Sequence, residues 1–170
     1  MLDIHRPRAV LEINSWLPEL KNGEQRLSLN GCELPSEVGA TLPGSVRALC
    51  LAPGRWLLVS EEQSPANIAE RFAAEVTAQG AVLIDTTDGI GVLNVRGAQA
   101  RDVLSKGCGL DFHPTAFAAG HCARTRFAQM AVIVEHIDDA TGFRLYVARS
   151  YLRFLTDWIA DAAVEFQSSP

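Results

Sequence analysis

Nucleophilic, acid/base and metal chemistry all need Cys, His, Lys or carboxylate side chains brought together. In this chain the densest gathering falls between residues 106 and 122, where Lys106, Cys108, Asp111, His113, His121 and Cys122 occur. A cysteine beside a histidine could supply an activated thiolate. Dyads of that kind usually join residues distant in sequence, however, and a histidine in a loop carrying Pro114 and Gly120 more often bonds backbone or meets a partner. Asp85 and Asp88 could pair as acid and base, but Asp88-Gly89 is also ordinary turn chemistry. The four cysteines, Cys32, Cys50, Cys108 and Cys122, contain no C-x-x-C pair and no Cys/His grouping at zinc spacing. They read as small buried hydrophobes.

Motifs with clear mechanics are missing. Gly89-x-Gly91 with Gly97 begins like a dinucleotide loop, but the third glycine should stand at position 94, which is Asn94. There is no phosphate-loop lysine, no G-x-S-x-G and no H-E-x-x-H. Fifteen basic against twenty acidic residues give a net charge of −5, which argues against generic nucleic-acid binding; Arg6-Pro7-Arg8 reads as a solvated start. No apolar run approaches the roughly 18 residues that cross a bilayer, and Met1-Leu2-Asp3 does not open a secretory signal. The expected setting is the cytoplasm, with no membrane or nucleic-acid partner.

The elements that must position these residues follow from periodicity and punctuation. Residues 1–45 are irregular: residues 9–16 read as a strand or a short helix, and residues 26–29 alternate like a strand before Gly31. Residues 46–51 and 56–60, split by Ala52-Pro53-Gly54-Arg55, read as a hairpin. Ser64 as N-cap with Pro65 behind it starts a helix that buries Ile68, Phe72 and Val76 and stops at Gly80. Residues 81–84 and 90–95 read as strands, and Gly97 opens a second helix with Ala100, Val103 and Leu104 inward. Residues 124–137 read as one long strand region that turns at residues 138–142 and returns as residues 143–147. Ser150 is expected to cap a last helix whose apolar side holds Tyr151, Leu152, Leu155, Trp158, Ile159 and Ala162. Trp56 and Trp158 are expected in the core, whereas Trp16 with Leu17 could belong to an exposed patch. The strand, serine and helix around Ser64 and around Ser150 echo each other. The fold class is α+β, with split β-α-β units and antiparallel sheets covered by helices. We expect an N-terminal segment over 1–45, a single two-lobed domain over 46–166, and a tail over 167–170.

Leu104-Ser105-Lys106-Gly107-Cys108-Gly109-Leu110-Asp111-Phe112-His113-Pro114, followed by Phe117, Gly120 and Cys122, resembles the gamma subunit of bacterial heterotetrameric sarcosine oxidase. Ala52-Pro53-Gly54-Arg55-Trp56-Leu57-Leu58, and Val147-Ala148-Arg149-Ser150 with Trp158, resemble other segments of that family, so the likeness covers about residues 49–166. The resemblance implies the folate-binding domain fold of glycine-cleavage aminomethyltransferase. It also implies a complex that demethylates sarcosine oxidatively to glycine, passes the one-carbon unit to tetrahydrofolate and makes hydrogen peroxide. FAD, FMN, NAD and tetrahydrofolate are then expected on other subunits, with alpha, beta and delta chains as partners. No cofactor is expected on this chain and no catalytic residue is carried over. Lys106, Cys108, Asp111, His113 and His121 remain candidate functional or interface residues. Thr87 stands where serine is expected in many relatives.

A second resemblance rests on Lys106-Gly107-Cys108, which is similar to the K-G-C motif of folate-dependent iron–sulfur maturation proteins. Theirs continues with an aromatic residue and Gly-Gln; Gly109-Leu110-Asp111 follows here. That alternative, a stand-alone folate-binding protein, requires Cys108 to be an accessible, reactive thiol.

Overall fold

The computed structural model describes residues 2–21, 26–138 and 142–167. In chain order its elements are β1 (Leu2–His5), β2 (Ala9–Ser15), α1 (Pro18–Lys21), β3 (Ser28–Leu29), β4 (Cys32–Glu33), β5 (Thr41–Leu42), β6 (Arg47–Ala52), β7 (Arg55–Ser60) and α2 (Pro65–Ala78). There follow β8 (Ala81–Asp85), β9 (Ile90–Arg96), α3 (Ala100–Ser105), β10 (His121–Phe127), β11 (Met130–Asp138), β12 (Gly142–Ala148), α4 (Leu152–Ala162) and α5 (Val164–Gln167). They fall into two compact units. One is Pro7–Thr87; the other combines the residues up to Arg6 with those from Asp88 onward.

The contiguous unit carries a five-stranded sheet in the order β5-β6-β7-β2-β8, every pairing antiparallel. The segment that read as strand or helix is strand β2, pairing β7 on one side and β8 on the other. Its odd-numbered residues Ala9, Leu11 and Ile13 join Cys50, Trp56 and Leu58 in a core covered by Ile68, Phe72 and Val76 of α2. That helix starts as its punctuation predicts: the Asn67 N–H donates to Ser64 Oγ at 3.3 Å, and Pro65 occupies the first turn. It stops where Gly80 turns left-handed at φ +76°, and a Cβ there would lie 2.1 Å from the Leu17 Cδ1. Trp56 is buried with its indole N–H on the Pro35 carbonyl, 2.7 Å away. In the short β3–β4 hairpin, Asn30 and Gly31 both take positive φ, the twist that suits a two-residue turn.

The discontinuous unit carries a second five-stranded antiparallel sheet, β1-β9-β12-β11-β10. One face presents Leu93, Val95, Val132, Val134, Phe143, Leu145 and Val147 to a core closed by Val103 and Leu104 of α3 and by Leu155 and Ile159 of α4. Four local expectations are corrected here. Residues 124–137 are not one strand: β10 and β11 reverse at Ala128-Gln129, both at positive φ (43° and 77°). That turn uses neither Gly nor Pro, so nothing in the composition punctuates it. Ser150 does not cap α4; it lies inside a 3-10 turn, Arg149–Tyr151, and the Leu152 N–H bonds the Arg149 carbonyl instead. Tyr151, expected inward, is exposed because that tighter turn rotates it off the apolar arc. α3 begins at Ala100, whose N–H reaches the Gly97 carbonyl, rather than at Gly97 itself. Of the turn expected over 138–142, residues 139–141 lie outside the described residues, as do 168–170 of the tail.

Gly80→Ala should destabilise the chain by about 1–3 kcal/mol, since an L-residue at this φ is strained and the Leu17 side chain must move. A lowered urea midpoint with an unchanged slope would register it.

Candidate functional site

Lys106, Gly107 and Cys108 form the exit from α3, and each has a local physical reason. The Lys106 ammonium sits 2.6 Å from the Glu165 carboxylate, donates to the Ala162 carbonyl at 2.7 Å, and lies 4.6 Å from the centre of the Phe166 ring. It therefore ties α3 to the end of α4 and to α5. Both partners of the ion pair are partly exposed, so the charge contact is worth no more than about 1 kcal/mol. Gly107 leaves room for two aromatic rings: a Cβ at this position would fall 2.7 Å from Phe127 and 2.7 Å from Trp158. These rings meet edge to face at 4.9 Å. The Gly107 carbonyl accepts the Ala128 N–H, and Cys108 bridges Phe127 in antiparallel fashion.

Cys108 is 8% exposed within the core. Its sulfur accepts the Leu110 N–H at 3.4 Å and lies 3.5 Å from the Thr125 hydroxyl. No cation touches it among the described contacts, and a buried thiol without one is the inert kind. Cys50 and Cys122 are buried as expected of small hydrophobes, but Cys32 is exposed on β4. Burial is the larger cause that pushes the Cys50 thiol above its ordinary value, opposed by a weaker backbone hydrogen bond with Ala52.

Asp111 and His113 share a loop. The Asp111 Oδ1 accepts the His113 N–H at 2.8 Å, and the His113 Nδ1 lies 2.8 Å from the Thr115 hydroxyl. Both are exposed and shape the turn they occupy. The Nδ1 of His121 bonds the Ala119 carbonyl. His121 and Cys122 are successive strand residues, so their side chains leave opposite faces of β10, and no dyad forms. The candidates thus separate: Lys106 and Cys108 belong to the α3 exit, Asp111 and His113 to the following loop, and His121 to the strand it leads into.

What pins that loop went unread in the sequence. His136 is buried, stacked 4.7 Å from Phe143, and its Nδ1 lies 3.0 Å from the Phe117 carbonyl. A carbonyl only accepts and a guanidinium only donates, so Nδ1 carries the proton and Nε2 accepts from the Arg101 Nη2, 3.4 Å away. Arg101 also donates to the Phe112 carbonyl. The Gly120 N–H reaches the His136 carbonyl. Arg101 and His136 together fasten the loop at Phe112, Phe117 and Gly120. The other face of the sheet holds a buried polar row: Tyr146 donates to Glu135 at 2.6 Å, and the Arg144 Nε donates to Asn94 at 3.0 Å. Single polar residues within otherwise apolar strands were the available signal. Asp85 accepts the Thr87 N–H, and Asp88 is ion-paired with Arg149, so both serve turns.

A family model described as the sarcosine oxidase gamma subunit family matches residues 24–165. The chain belongs to the sarcosine oxidase gamma subunit family. A gamma subunit from Corynebacterium sp. strain P-1 is 30% identical over 143 residues, covering 82% of this chain and 68% of that one. Another from Arthrobacter sp. is 28% identical over 140 residues, covering 81% and 68%. A solved chain of the heterotetrameric sarcosine oxidase of Corynebacterium sp. U-96 superimposes with a TM-score of 0.87 at 23% identity, covering all of this chain and 86% of that one. Glycine cleavage system aminomethyltransferase T from Bartonella henselae gives a TM-score of 0.64 at 14% identity over 93% of this chain and 44% of that one. The gamma-subunit fold is accordingly the α+β aminomethyltransferase-like fold.

In the native chain an alkylating probe should label Cys32 and leave Cys50, Cys108 and Cys122 unmodified at pH 8, whereas all four should react in denaturant; peptide mass mapping checks this. Gly107→Ala should cost about 1–3 kcal/mol by overpacking, while Lys106→Ala should cost less than about 1 kcal/mol. Urea titration of the two variants compares them.

Proposed function

We propose that this chain is a non-catalytic structural and assembly subunit of a sarcosine oxidase complex. The complex demethylates sarcosine oxidatively to glycine, passes the one-carbon unit to tetrahydrofolate and releases hydrogen peroxide in the cytoplasm. The observation that carries this is the match of residues 24–165 to the gamma-subunit family. Its partners are larger flavoprotein alpha and beta subunits and a small delta subunit, and FAD, FMN, NAD and tetrahydrofolate are held by those other chains.

The side chains support an architectural role. Lys106 binds helix ends, Cys108 is a core residue, and Asp111, His113 and His121 bond backbone or neighbours within their own loop. The stand-alone folate-binding alternative loses its motif, because Lys106-Gly107-Cys108 is accounted for by packing. No described helix is long and apolar enough to cross a membrane.

Pull-down of this chain from its native cytoplasm should recover larger subunits, flavin absorbance and sarcosine-dependent peroxide production. Cys108→Ala should leave that activity within about twofold of the unaltered complex. A colourless, partnerless chain, or activity lost with the Cys108 thiol while the complex stays assembled, would overturn the proposal.

A further inference from the structure

The sheet of Pro7–Thr87 ends in β8, which pairs only with β2 among the described strands. The Trp16 N–H bonds the Gly80 carbonyl and the Thr86 N–H bonds the Val10 carbonyl. The even-numbered pairs, including Asn14↔Val82 and Glu12↔Ile84, are therefore the ones that exchange main-chain hydrogen bonds across β2 and β8. Backbone groups alternate in direction along a strand, so the N–H and C=O groups of Ala81, Leu83 and Asp85 point to the open edge.

Natural sheets protect such edges with Lys, Pro, bulges or very short strands. β8 has none of these: it is five residues long, Ala-Val-Leu-Ile-Asp. Val82 and Ile84 are 41% and 42% exposed, and Trp16, at the same end of the sheet, is 55% exposed. The one charge on the strand is acidic, the exposed Asp85, in a chain of net charge −5. A row of main-chain groups with no strand partner among the described strands, apolar residues beside it and a carboxylate at its end fit a complementary occupant.

We infer that β8 is an assembly edge, to which a larger subunit of the complex adds an extended segment with alternating apolar side chains and a Lys or Arg opposite Asp85. This inference rests on the gamma-subunit reading and adds the surface and the kind of partner segment. Main-chain hydrogen bonds to Leu83 and Asp85 supply the register, Val82, Ile84 and Trp16 supply the apolar contact, and Asp85 selects a cationic end.

Site-resolved amide hydrogen exchange on the purified complex and on the isolated chain tests it. On assembly the Leu83 and Asp85 amides should slow by at least about tenfold. The Val82 and Ile84 amides, already directed at β2, should change much less. Ile84→Lys should also weaken association with the larger subunits by at least about tenfold. An assembled complex in which the Leu83 and Asp85 amides exchange as in the isolated chain would overturn the inference and leave the subunit reading intact, as would unaltered association of Ile84→Lys. Protection that grows with the concentration of the isolated chain would assign the edge to a second copy and overturn it too. Failure of any complex to form would remove the subunit reading, and this inference with it.

Discussion

The packing of Phe127 and Trp158 over Gly107 is the contact on which the discontinuous unit depends. The two rings meet edge to face at 4.9 Å directly over Gly107, where a Cβ would fall 2.7 Å from each of them. From that point the rest is determined locally. The bridge from Cys108 to Phe127 and the Ala128 N–H on the Gly107 carbonyl join the helix exit to β10 and its turn. Lys106, one residue earlier, reaches the opposite way to Ala162 and Glu165. Three successive residues thereby hold a helix, a strand turn and the C-terminal helices together, and a motif that resembles chemistry is explained by geometry.

Periodicity and capping made much of the fold legible. The Ser64-Pro65 start and Gly80 stop bounded α2, and the apolar runs around Pro53-Gly54 gave the β6–β7 hairpin. Errors arose where the backbone acts without its usual residues. Ala128 and Gln129 adopt positive φ in a tight turn, and a 3-10 turn does the work expected of the Ser150 hydroxyl. The N-terminal strand β2 was ambiguous because residues 9–16 are apolar without clean alternation, as befits a strand between two neighbours in the middle of a sheet.

Of the candidate residues, the sequence located the right stretch but not its organisation. Asp111 and His113 shape their loop, yet Arg101 and His136, from a helix and a distant strand, fasten it. Neither stood in a recognisable pattern, because tertiary pairing brings them together across 35 positions. The buried row of Asn94, Glu135, Arg144 and Tyr146 escaped notice for the same reason: each is one polar residue within a strand that otherwise reads as core. A buried polar group needs a defined partner, so such a row favours one register of the sheet over its alternatives.

The chain makes β1 before it enters the contiguous unit and returns to the other unit only at Asp88. Leu2 must pair with Val95, so the edge of that sheet closes across the whole of Pro7–Thr87. During synthesis the contiguous unit has all its residues first, while the early strand waits for β9 to be made. Closing so long a loop costs little more entropy than a shorter one, but it is slow. Until it happens, β9 offers an open edge flanked by Val92, Leu93 and Val95, the interval in which a nascent chain is most exposed to pairing with another of its own kind.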